Sequence, residues 1–263
     1  MRRLFLVAAL AALATPAFAQ GPPPTPGGGG GGTNNLPFKD VTTQNWGRAK
    51  ANTTNGVGNP HSDEDYQPHG PDANLVSAFS SDGPATASST GFMQVSYSPV
   101  SMRCDSYAHG RCSPVSAATP APAVDADYNC RARTEASSTN ADTKDRNIHI
   151  SISGSRSSLG KDNVTGWCKI LITRVNGTEE LIHVKINKNG WKVVGSASPI
   201  STENFSYDVE KTLGPGDSVG ITSVAEASSD GETDDDTESS CRLIVSVAAI
   251  APLEPAPPAP PLP

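Results

Sequence analysis

Six carboxylates crowd into nine residues towards the end of the chain: Asp230, Glu232, Asp234, Asp235, Asp236 and Glu238. Oxygen donors at this density repel one another unless a hard cation or water screens them, and Ca²⁺ is the cation that accepts a flexible oxygen set. The spacing is not that of an EF-hand, because Gly231 follows Asp230 directly. The loop is therefore a solvated hairpin tip or, alternatively, a Ca²⁺ site. A second cluster holds His61, Asp63, Glu64, Asp65 and His69. Imidazoles and carboxylates together suit a transition metal, but the Pro- and Gly-rich surroundings predict a loop rather than a preformed cage.

Three further residues are candidates for binding. His149 and His183 fall on the polar faces of predicted strands, where with Lys185 they would form one patch on a sheet surface. Trp191 is a candidate platform for a sugar ring, whereas Trp167 is expected in the core. No zincin motif is present, and no catalytic residue is assigned.

The elements that must position these groups are strands. From Phe92 onward the hydrophobic period is two: Met93, Val95 and Tyr97; then Ile148, Ile150 and Ile152; then Cys168, Ile170 and Ile172; then Ile182, Val184 and Ile186. Such alternation marks strands with one buried face. Asn176-Gly177 predicts a tight hairpin turn within residues 167–186, and Gly214-Pro215-Gly216-Asp217 predicts another turn. About nine strands are expected between residues 92 and 250. The fold class is therefore all-β, a single antiparallel β-sandwich of jelly-roll or Ig-like type. Residues 38–91 are polar and turn-rich, which predicts a long irregular arm or a segment wrapped over the sandwich.

Both ends differ from this. Arg2-Arg3, the uncharged run 4–14 and Ala17-Phe18-Ala19 have the layout of a signal peptide cleaved after Ala19. Residues 20–37 are a Pro/Gly-rich linker, and residues 251–263 are a Pro-rich tail, both expected to be disordered. The expected location is secreted, periplasmic or cell-surface. Cleavage would remove two arginines and take the formal charge from −7 to −9. So acidic a chain argues against nucleic acid, and no mature segment is apolar enough for membrane insertion.

Five cysteines in an exported chain point to disulfides. The expected pairs are Cys104–Cys112 and Cys168–Cys241, which leaves Cys130 over. Apolar residues make up only 36% of the chain, enough for one modest core. Together these features predict a non-enzymatic surface or periplasmic module that acts in adhesion, glycan binding or an extracellular assembly. Its partners would be a protein, a glycan or a second copy. The alternative is a secreted polysaccharide hydrolase or lyase on a jelly-roll scaffold.

Overall fold

The structure, a computed structural model, describes residues 38, 40–54, 61–70, 74–82, 85–113, 125–159, 163–187, 190–195, 203–229 and 236–250. These form thirteen strands and no helix. In chain order they are β1 Thr42–Thr54, β2 His61–Gly70, β3 Asn74–Asp82, β4 Ala85–Ser98, β5 Ser101–Ser113, β6 Asp125–Thr139 and β7 Arg146–Leu159. There follow β8 Asn163–Thr173, β9 Glu179–Asn187, β10 Gly190–Val193, β11 Asn204–Leu213, β12 Ser218–Ser228 and β13 Thr237–Ala249. One sheet has the order β10-β9-β8-β12-β6-β1-β2 and the other β11-β7-β13-β5-β4-β3. Every pairing is antiparallel, so the architecture is all-β and sandwich-like, with two sheets facing each other across one core.

The core has two textures. Where β7, β11 and β13 face β8, β9, β10 and β12, it is built of Ile148, Ile150, Ile152, Ile170, Ile172 and Val184, capped by Trp191 stacked on Phe205. Where β3, β4 and β5 face β1 and β6, the inward residues are small: Ala49, Ala51, Ala78, Ala87, Ala108, Ala132 and Ala136. Hydroxyls pair across this second half, as in Thr53–Ser80 at 2.8 Å and Ser106–Thr134 at 2.9 Å, which satisfies polar atoms that would otherwise be costly to bury. A large ring there is Tyr128. It fits because Gly110 faces it; a Cβ at that glycine would overlap the ring.

The described residues within 38–91 form strands rather than an irregular arm. They supply β1, β2, β3 and part of β4, and so belong to both sheets. Their inward positions are Asn45, Gly47, Ala49, Ala51 and Thr53 on β1, a small-against-polar alternation that hydropathy does not register. The hairpin over 167–186 is present as β8–β9, but residues 174–178 form a longer turn than the expected two-residue one. Gly177 sits there at φ +81°, and the Asn176 side chain accepts the Thr178 amide at 2.9 Å.

One end of the sandwich is tied by buried polar side chains. The Asn140 amide donates to the Leu213 and Gly214 carbonyls, both at 3.0 Å. Asp217 accepts from the Gly214 amide at 2.7 Å, the Val175 amide at 3.0 Å and Arg174 at 2.8 Å. Burial alone would raise the Asp217 carboxyl, but the Arg174 hydrogen bond and those two amides outweigh it and hold it below its usual range.

Neither expected disulfide forms; all five cysteines are buried and none is bridged to another. Cys104 and Cys112 lie on one strand, β5, facing the same way. Eight residues of extended chain separate them by about 26 Å, far beyond bridging distance. Cys168 and Cys241 lie in opposite sheets, on β8 and β13, and remain unbonded.

Candidate functional site

The outward face of the seven-stranded sheet is the richest surface of the described residues, and strand register builds it in rows. The first row runs Thr42, Ser137, Gly220, Leu171, Leu181 across β1, β6, β12, β8 and β9. The second runs Gln44, Glu135, Thr222, Lys169, His183, and the third Trp46, Arg133, Val224, Trp167, Lys185. These positions share a face because successive residues of a strand point to opposite sides.

Gly220 has no side chain to fill its place in the first row. The rows therefore enclose a groove of about 590 Å³, with Gly220 and Thr222 as floor. Leu171, Leu181 and Lys169 form one wall, and Thr42, Gln44 and Glu135 the other. A depression of about 320 Å³ shares Thr42, Ser137, Leu171 and Gly220 and continues past Ser218 and Thr173 to Asp40. The lining is mixed: the hydroxyls of Thr42, Ser137 and Thr222, the charged Glu135 and Lys169, and the apolar Leu171 and Leu181. Thr42 and Ser137 already bond to each other at 2.6 Å, which fixes that wall.

Aromatic–cation pairs stand over the third row. The Arg131 guanidinium lies 5.3 Å from the Trp46 ring centre and pairs with Glu226 at 2.9 Å. Trp46 Nε1 donates to the Tyr66 hydroxyl at 2.9 Å, and the two rings meet edge to face. Three strand spacings away, about 14 Å, the Lys169 ammonium stands 5.3 Å over Trp167, which also meets His183 edge-on. Each such cation–π contact contributes about 0.5–1 kcal/mol at an exposed site and holds the ring upright on the sheet. Val224, although on the outward register, is fully buried between Arg133 and Trp167.

The expected site residues are distributed differently. Trp191 is fully buried against Phe205 and donates to the Glu203 carbonyl at 3.2 Å, so it belongs to the core and not to a binding face. Trp167 makes the opposite exchange and faces outward. His149 and His183 do not meet: His149 is on β7 of the six-stranded sheet, 3.3 Å from Asp208, on the opposite side of the sandwich. Of the acidic loop, Asp230, Glu232, Asp234 and Asp235 lie outside the described residues; Asp236 is exposed, and Glu238 Oε1 is 3.0 Å from His109 Nε2. No group of three or more His, Cys, Asp or Glu among the described residues is placed to hold a metal. His61 and His69 side chains are outside the description. Asp63 and Asp65 are used as hydrogen-bond acceptors by β3.

Two sites escape sequence reasoning altogether. The groove depends on bringing β1, β6, β12 and β8 together, residues up to 180 apart in the chain, from Thr42 to Thr222. On the other sheet, Asp105 lies on the outward register of β5 yet is nearly buried, bound by Arg242 through two hydrogen bonds of 3.0 and 2.7 Å. The buried Asp105 pair raises the Arg242 guanidinium further above its ordinary value. No family model matches the chain, and comparison with curated proteins finds no similar one.

Proposed function

We propose that this chain is an exported, non-enzymatic glycan-binding module that acts at the cell surface or in the periplasm, with its ligand lying in the groove across Gly220. The observation that carries this reading is the groove itself: a channel on a sheet face that sets hydroxyl and charged groups beside a leucine wall, with Trp46 and Trp167 in a neighbouring row. Sugar chains present hydroxyls along their rims and apolar C–H surfaces on their faces, and this lining offers both kinds of partner. The strand count favours a jelly-roll-like sandwich over an Ig-like one, since thirteen strands exceed what Ig domains use.

The test is to fill the groove. A Cβ at Gly220 would meet only the Ser137 Cβ, at 3.8 Å, an ordinary contact, so Gly220→Leu keeps the fold and projects its side chain outward. Affinity electrophoresis against a panel of neutral and acidic polysaccharides should show retardation of the wild type. The variant should lose at least about tenfold in affinity, or about 1.4 kcal/mol. An unaltered mobility shift in the variant would dismiss the groove. The second reading, a polysaccharide hydrolase or lyase, draws on Glu135 and Asp40 along the groove. Release of reducing or unsaturated ends that ceases in Glu135→Gln would put that reading in its place.

A further inference from the structure

Beside the groove, the same sheet face carries cations that have no carboxylate partner among the described residues. Lys185 and Lys192 are directly opposite each other on β9 and β10, and Trp167 is the next residue in their row. Lys169 faces His183 across β8 and β9, one row closer to the groove, and itself lines the groove wall. Among the described residues no carboxylate pairs with Lys169, Lys185 or Lys192, whereas Arg48, Arg131, Arg133, Arg146, Arg174, Lys211 and Arg242 all have one. Like charges directly opposite on a sheet are destabilising. The chain has 27 acidic residues to 20 basic ones, so acids to pair with are not scarce. The burial of His183, and then Lys169 and Lys185 beside it, depress its imidazole below the ordinary value.

We propose that Lys169, Lys185 and Lys192 form an anionic subsite, and that the glycan held in the groove is an acidic one bearing carboxylate or sulfate groups. This rests on the groove reading above and specifies its ligand. A ligand anion would supply the missing countercharge and relieve the Lys185–Lys192 repulsion. The rest of the molecule is acidic, which disfavours the dense phosphate arrays of nucleic acid or an anionic membrane. A polysaccharide with spaced charges meets three local cations without confronting the wider surface. The net charge, which argues against anionic partners when the sequence is taken whole, thus does not describe this face.

The experiment uses the full chain and three soluble probes: polygalacturonate for carboxylates, chondroitin sulfate for sulfates and dextran as the neutral control. The wild type should bind at least one acidic probe tenfold or more tightly than dextran, and the preference should shrink as salt rises. Changing Lys169, Lys185 and Lys192 together to Gln should abolish that preference. These are outward positions on formed strands, so the far-ultraviolet spectrum and melting temperature of the variant serve as the folding check. Equal affinity for dextran and both acidic probes overturns the proposal, as does an unchanged preference in the triple variant. So does binding to phosphatidylserine vesicles or single-stranded DNA as tight as to the acidic glycans. Gly220→Leu separates the two readings. If it keeps acidic-probe binding that the triple variant loses, the lysines stand as the anion site and the groove falls. If it loses binding that the triple variant keeps, the groove stands and the lysines fall.

Discussion

His183 is where charge, burial and sheet register meet in a single side chain. Its ring is half-buried against Trp167, Lys169 faces it from β8, and Lys185 lies two residues along β9. Burial first, then the two ammonium groups, lower its pKa from the ordinary 6.5. The consequence for stability follows from which state takes the proton first. On acidification the unfolded chain protonates this histidine before the folded one does, so the unfolded state gains. Its share of stability is complete above pH 6.5 and erodes as the pH falls from there towards the lower folded value. Binding responds in the opposite sense, because a protonated His183 adds a cation to the lysine subsite. Thermal melts between about pH 7 and 5 should show a downward limb that His183→Gln removes. Polygalacturonate affinity should rise over the same interval in the wild type alone. A ring titrating at or above 6.5 by nuclear magnetic resonance would contradict both.

Among the elements, β2 and β3 form the least conventional junction. β3 is an edge strand, and its outward amides are left without a ladder partner. The side chains of Asp65 and Asp63 on β2 accept two of them, from Ser77 at 3.0 Å and from Phe79 at 2.8 Å. The match is one of period: residues two apart on β2 present their carboxylates to amides two apart on β3. Exposed Leu75 and Phe79 flank these bonds, so the bare edge would be both hydrogen-bonding and apolar, the combination that invites strand addition. Asp63→Ala with Asp65→Ala should therefore expose the Ser77 and Phe79 amides to faster hydrogen exchange. It should also drive concentration-dependent self-association on size exclusion, whereas the paired Asn variant, which retains acceptors, should remain closer to wild type. A double Ala variant with unchanged exchange and elution would mean that the carboxylates are incidental. The same strands explain what could be read in advance. β7, β8, β9 and β13 alternate Ile, Val and Leu with polar residues, so their inward faces are visible in the chain. β1 alternates Gly and Ala with Lys, Arg and Asn, β2 is polar in sequence, and β3 alternates inward Val76, Ala78 and Ser80 with Leu75 and Phe79 that point outward. Such strands acquire their inside only from the opposing sheet. The groove is invisible for the related reason that register between distant strands, not spacing along the chain, puts Gly220 between Ser137 and Leu171, whereas Lys185 and Lys192 face each other locally, on the consecutive strands β9 and β10.

For the whole molecule, the five thiols report how the two sheets are held together. Cys104, Cys112 and Cys241 belong to the six-stranded sheet and Cys130 and Cys168 to the seven-stranded one, all with their sulfurs turned to the shared core. Burial pushes Cys104, Cys130, Cys168 and Cys241 up to about 12. At pH 8 a thiol with that pKa is ionised in only about one molecule in ten thousand, and the thiolate is the species that attacks an oxidant or a disulfide. Neutral and dry, these four thiols are poor nucleophiles, which disfavours their oxidation to disulfides. Because each sulfur is covered by both sheets, exposing any one requires the sheets to part, and parting them opens the common core. A disulfide reagent such as DTNB at pH 8 should therefore label all five at one shared rate that follows global unfolding, with five equivalents released at once in denaturant. Raising denaturant through the transition should accelerate all five in step with the loss of tertiary signal. A cysteine that reacts quickly in the folded chain, with the others silent, would show that one half of the sandwich opens by itself. The small-residue half around Cys130 is where that would happen, since Ala and Gly bury less apolar area per residue than the Ile-rich half around Cys168.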